Sequence, residues 1–128
     1  MDKKTVTTGA LFGMIAIILG AFGAHALKKV LPAEQLLTFE TGVRYQMYHA
    51  LFLILIGTTS IISEKIKKTI YNLVLFGVIL FSGSIYLLAT NNISQFDFKV
   101  IGFITPIGGL LLILAWGILF YDFIKKKS

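Results

Sequence analysis

Four stretches of the chain stay apolar for about the thickness of a membrane: residues 5–27, 41–62, 69–89 and 100–123. A helix rises ~1.5 Å per residue and a bilayer's hydrocarbon core is ~30 Å deep, so about 20 apolar residues are needed to cross it. Inside hydrocarbon every backbone N–H and C=O must be paired within the protein, which leaves helices or a closed barrel. Unbroken apolar runs of this length, without strand-like alternation, select helices. Only short connections separate them. The chain is therefore expected to be all-α, an integral membrane four-helix bundle forming one domain over 1–128. With 56% hydrophobic and 14% charged residues it is too apolar for a soluble domain of its size.

The formal net charge of +6 does not indicate a nucleic-acid partner, because the lysines stand at the ends of the apolar runs, as membrane-flanking charges do. Eight lysines lie at residues 3–4, 65–68 and 125–127, against four cations at 28, 29, 44 and 99. The positive-inside rule then places both termini in the cytoplasm, and the expected location is a bacterial plasma membrane. Trp116, Tyr121 and Tyr71 are expected as aromatic anchors near the inner boundary. The absence of cysteine rules out disulfides and thiolate metal ligands.

The first run has a competing reading as a signal peptide, with Lys3 and Lys4 ahead of it and a small-x-small pattern at Ala24-His25-Ala26. Against cleavage, Gly9, Gly13, Ala16, Gly20 and Gly23 form a stripe of small residues at helical spacing. Such a stripe lets a second backbone approach, within the bundle or across a dimer. Pro32 followed by Glu34 marks a helix start, and residues 32–40 are expected as a short interfacial helix, with Gly42 as a possible bend before the second span. Thr90-Asn91-Asn92 signals a turn, and Asn92-Ile93-Ser94 matches the glycosylation pattern only formally.

Polar side chains are concentrated in residues 39–50. The single arginine, Arg44, shares a helix face with Glu40 and Tyr48, and Thr41, Tyr45 and His49 lie beside it. Intramembrane polar groups are costly unless they face protein or water, so they mark a candidate site. His25 ends the first span at the same outer side. Ser82 and Tyr86 lie in the outer half of the third span, and Thr105 with Pro106, Gly108 and Gly109 in the outer half of the fourth. The middle of each span is almost wholly apolar. One polar pocket in the outer half of the bundle is expected, with Arg44, Glu40, Tyr45, Tyr48, His49, His25, Ser82, Tyr86 and Thr105 as candidate binding residues. A proline and two glycines are expected to bend the fourth span and admit close packing.

Four motifs carry a family resemblance: Gly-Ala-Phe-Gly-Ala-His-Ala-Leu at 20–27, Phe-Glu-Thr-Gly-Val-Arg-Tyr-Gln-Met-Tyr-His-Ala at 39–50, Phe-Ser-Gly-Ser-Ile-Tyr-Leu-Leu-Ala at 81–89, and Thr-Pro-Ile-Gly-Gly at 105–109 with Trp116. Together they resemble the domain-of-unknown-function 423 family, which includes transmembrane protein 256. The resemblance covers essentially the whole chain and implies a small multi-span membrane protein that retains its first span. It brings no activity with it.

Three readings of function remain from the residues. The first is a binding or accessory protein holding a lipid headgroup or small anion on Arg44, whose planar fork suits carboxylate or phosphate; its bland competitor is an Arg44–Glu40 pair that merely neutralises charge. The second is a proton-coupled carrier or membrane enzyme using His49 and Glu40, although the chain lacks a recognisable catalytic set. The third, a haem protein with His25 and His49 as axial ligands, suffers from their unequal depth. No cofactor, no metal and no nucleic acid are expected. The partners expected are membrane lipids, with a homo-oligomer or another membrane protein as further possibilities.

Overall fold

The computed structural model describes residues 2–90 and 102–126. Within them lie four α-helices, α1 (Lys3–His25), α2 (Ala33–Thr58), α3 (Glu64–Ala89) and α4 (Ile104–Ile124), with a short 3-10 turn at Leu27–Lys29. The expected turn at 90–92, the glycosylation pattern at 92–94 and the start of the fourth apolar run fall wholly or partly outside the described residues.

Local chemistry sets the helix starts. Asp2 caps α1: its carboxylate accepts from the Thr5 hydroxyl at 2.6 Å and the Thr5 amide at 3.4 Å. These bonds hold the Asp2 carboxyl below its ordinary range. Ser63 caps α3 by accepting from the Ile66 amide at 3.3 Å. Pro32 precedes α2, which then runs without interruption to Thr58. Residues 32–40 and the second apolar run are thus parts of a single helix. The helix is unbroken at Gly42, and Gly42 lets α3 approach, since a Cβ there would lie 2.8 Å from Tyr86 Cε1. α4 is likewise unbroken at Pro106, Gly108 and Gly109. Because the helix starts at Ile104, Pro106 falls in the first turn, where a missing N–H breaks no intrahelical bond.

Among the described residues three helical stretches are long and apolar enough to cross a membrane: α1 with its following turn, α3 and α4. α2 falls short on apolarity because its first half is polar up to Arg44 and its middle carries Gln46 and His49. It nevertheless runs antiparallel along nearly all of α1. Gly23 faces Phe39, Gly20 faces Val43, Gly13 faces Ala50 and Met47, and Gly57 faces Val6. A Cβ on Gly9 would lie 2.8 Å from the Ala50 carbonyl oxygen, so the backbones touch there. The small-residue stripe of α1 thus packs on α2 within the chain.

The principal pairings are α1 with α2, α2 with α3, and α3 with α4; among the described residues no comparable α1–α4 contact closes the ring. One apolar cluster joins α2, α3 and α4 around Leu53, Ile70, Val74 and Ala115, and a second closes the end of the bundle around Leu27, Phe39 and Ala89. That end, where α1 finishes and α2 begins, is called the upper end below. The outward surface is apolar, with Ile113 and Phe120 each 68% exposed and Ile17 66%. Only a hydrocarbon surrounding makes such a surface favourable.

Candidate functional site

The polar residues of the upper half meet between helices in pairs. Gln46, buried on α2, donates from Nε2 to the Phe12 carbonyl of α1 at 2.8 Å and accepts the Tyr86 hydroxyl of α3 at 2.6 Å. One side chain thereby ties three helices. Ser82 donates to the Gly42 carbonyl at 2.7 Å, across the contact that Gly42 opens. Ser84 and Thr105 share a hydrogen bond between α3 and α4 at 2.5 Å. In hydrocarbon such bonds contribute about 0.6 kcal/mol each, and each also prevents an unpaired polar group.

His49 joins α2 to α4. The Trp116 indole N–H donates to His49 Nε2 at 3.0 Å, and His49 Nδ1 lies 2.7 Å from the Tyr45 carbonyl. An indole nitrogen can only donate and a carbonyl can only accept. These partners assign a neutral imidazole carrying its proton on Nδ1, with both nitrogens engaged. The Trp116 ring also stacks on Phe52, centroids 4.1 Å apart. Trp116, expected as a boundary anchor, bridges to α2 while remaining about half exposed. His49 lies level with Gly13, close to the middle of α1 and deeper than the outer half in which a pocket is expected.

The remaining candidates are not brought into this set. His25 is exposed in the last turn of α1. Arg44 is exposed and donates to the Thr41 hydroxyl at 3.1 Å. Among the described residues the ion pairs are Lys67–Glu64 and Lys126–Asp122, so the competing Glu40–Arg44 pair does not form. The Thr41 hydroxyl, one turn before Arg44, takes the guanidinium in place of the half-buried Glu40 carboxylate. Tyr45 and Tyr48 form a ring pair with centroids 5.5 Å apart; both are partly exposed, and Tyr45 also packs on Phe81 of α3 with centroids 5.2 Å apart.

Between α2, α3 and α4 lies a groove of about 450 Å³ lined by Tyr45, His49, Phe81, Gly109, Leu112, Ile113 and Trp116. Among the described residues no group of three or more histidines or carboxylates could hold a metal ion.

The sequence comparisons agree with this architecture. Residues 19–109, which contain all four motifs, match the family model described as a protein of unknown function, DUF423. The chain belongs to the DUF423 family. This DUF423 protein is 38% identical over 128 residues to a UPF0382 membrane protein of Haemophilus influenzae, covering 100% of this chain and 99% of that one. It is 43% identical over 114 residues to a UPF0382 membrane protein of Staphylococcus saprophyticus, covering 89% and 91% of the two chains. It is 33% identical over 121 residues to the UPF0382 inner membrane protein YgdD of Escherichia coli, covering 92% and 87%. No solved structure matches it.

Three site residues escape sequence reasoning. Gln46 lies in the polar stretch with nothing in its spacing to single it out, because a three-helix contact depends on partners elsewhere in the chain. Ser84 is likewise singled out only by its partner, Thr105 on the next helix. Trp116 has only its interfacial chemistry to read, and that does not reveal its bond to His49.

Proposed function

We propose that this DUF423 protein is a binding or accessory protein of the bacterial plasma membrane, crossing it four times with both termini in the cytoplasm, and that Arg44 holds an anionic group, either a lipid headgroup or a small anion. The state of the single arginine carries the reading. Its guanidinium is exposed, bonded to Thr41, and among the described residues has no carboxylate partner. Arg44 lies level with Gly20 on α1, about 8 Å below the end of that helix and about 16 Å below the start of α2, a depth from which a long flexible cation extends toward the headgroup layer.

The proton-exchange reading has weaker support. Glu40 and His49 are nine residues apart on one helix, about 13 Å along its axis and on opposite sides. For a haem, His49 Nε2 is taken by Trp116.

The test is gentle purification followed by native mass spectrometry. Wild type is expected to retain an anionic species, and Arg44→Lys to fold normally but lose it, because an ammonium cannot make a two-pronged contact. Retention of the same species by Arg44→Lys and Arg44→Gln would overturn the reading.

Single cysteines test the topology on a chain that has none of its own. Positions 29 and 65 are both exposed, whereas Lys67 is buried and unsuitable. In intact cells an impermeant thiol reagent is expected to label position 29 and leave position 65 untouched. The reverse pattern would invert the topology.

A further inference from the structure

We propose that the anion at Arg44 is the headgroup of a membrane phospholipid, one acyl chain of which lies in the groove between α2 and α4; this rests on the anion reading of Arg44. Arg44 does not itself line the groove, but it adjoins a residue that does. Tyr45, the next residue, lines it, and Tyr48, one turn below Arg44, is in ring contact with Tyr45. It ends at Trp116, whose ring covers Phe52. From Arg44 to Phe52 is eight residues of helix, about 12 Å, which is close to the depth of one leaflet.

The chemistry of the lining selects a hydrocarbon occupant. The lining imidazole has both nitrogens engaged and the lining indole N–H is donated, while Phe81, Leu112 and Ile113 offer only carbon; the Tyr45 hydroxyl, on the residue next to Arg44, is the remaining polar side-chain group of the lining. A polar ligand lying there would leave its own groups unpaired. An acyl chain has none to pair. A cation at the mouth and an apolar trough one leaflet deep together complement an anionic amphiphile. The trough does not suit a whole partner helix. A second hollow of about 540 Å³ lies further down the α2–α4 face, lined by Leu55, Ile56 and Phe120 among others, and Trp116 stands between the two. A helix laid along this face would have to ride over the indole.

Trp116 is the single tryptophan of the chain and forms the floor of the groove, so its fluorescence reports on the occupant. The full-length protein is titrated in neutral detergent with phosphatidylglycerol or phosphatidylcholine carrying the same brominated chains, and quenching is recorded. Binding of glycerol phosphate, an anion without a chain, is measured separately by calorimetry. Brominated phosphatidylglycerol is expected to reach half-maximal quenching at a mole fraction at least tenfold lower than the choline lipid. Arg44→Gln should abolish that difference.

Gly109→Leu should fill the trough and suppress the quenching by phosphatidylglycerol while sparing glycerol phosphate binding. A Cβ at Gly109 meets Phe81 at 3.5 Å, an ordinary contact, and the exposed Ile113→Phe fills the same space if the first variant does not fold. Equal quenching by the two lipids, or quenching that survives both trough variants, overturns the lipid inference, while Arg44-dependent glycerol phosphate binding keeps the anion reading. If Arg44→Gln changes neither lipid preference nor glycerol phosphate binding, the anion reading itself fails. A cross-linked second copy that excludes brominated lipid from Trp116 would replace the lipid by a protein interface.

Discussion

Gly108→Leu is expected to force α3 and α4 apart and to cost the bundle about 3 kcal/mol or more, the upper range for overpacking. At this position the two helices meet backbone to backbone. A Cβ on Gly108 would collide with the Phe81 amide nitrogen and stand 2.8 Å from the Leu80 carbonyl carbon. Neither atom can swing away as a side-chain tip would, so the relief must come from moving a helix. One turn away on the facing helix, Gly77 lodges against the Leu112 side chain and the Gly108 carbonyl oxygen, and Ser84 and Thr105 share their bond on the other side. Moving the helices apart at Gly108 therefore loosens close contacts on both sides. Membrane helices associate largely through such contacts, because lipid supplies no hydrophobic drive between them.

The measurement is thermal unfolding in detergent, with Gly83→Ala and Gly117→Ala as controls. A Cβ on either control meets nothing within 4 Å, so these variants should be neutral or slightly stabilising. Gly108→Leu melting with the controls would mean that α3 and α4 are not held at this distance.

The fold class was legible because the physical constraint is severe: apolar runs of this length permit few structures. Helix starts were legible where a side chain caps them, and Ser63 shows the limit of reading hydropathy alone. The third apolar run begins at about residue 69, yet α3 starts at Glu64, because the Ser63 cap and the charged first turn are helical without being apolar. The continuity of α2 was not legible. Gly42 carries the same letter whether it bends a helix or admits a neighbour, and only the position of Tyr86 decides between them.

Lysines at 65, 67 and 68 looked alike as flanking charges, but the Lys67 side chain is buried, its Nζ lying 3.9 Å from Glu64. Arg44 and Glu40 stand at ideal pairing distance in sequence. The competing Thr41 hydroxyl was equally visible there, and spacing alone could not rank the two.

The hydrogen bond from Trp116 to His49 supports the last prediction, since it joins α4 to α2 at a point where those helices have few other contacts. His49→Leu leaves the indole N–H without an acceptor. Trp116→Phe keeps a ring over Phe52 but leaves Nε2 of His49 without a donor. Each single change is expected to cost about 1–2 kcal/mol, the range for a polar group left unpaired away from water. The double change removes both orphans and keeps the apolar contacts. It should be clearly less destabilising than the sum of the singles, with a coupling of at least about 0.5 kcal/mol. Helix melting by circular dichroism measures all three variants.

His49→Gln should fall between wild type and His49→Leu, because an amide oxygen can accept the indole proton. In His49→Leu the fluorescence of Trp116 should shift to the blue, as expected for an indole whose N–H has lost its acceptor. This cycle also bears on function, because a histidine that relays protons must free one of its nitrogens. If the single changes prove additive and the emission of His49→Leu stays in place, the Trp116 bond is not formed in the membrane. His49 would then have a nitrogen free for proton transfer, and the proton-coupled reading would regain its support.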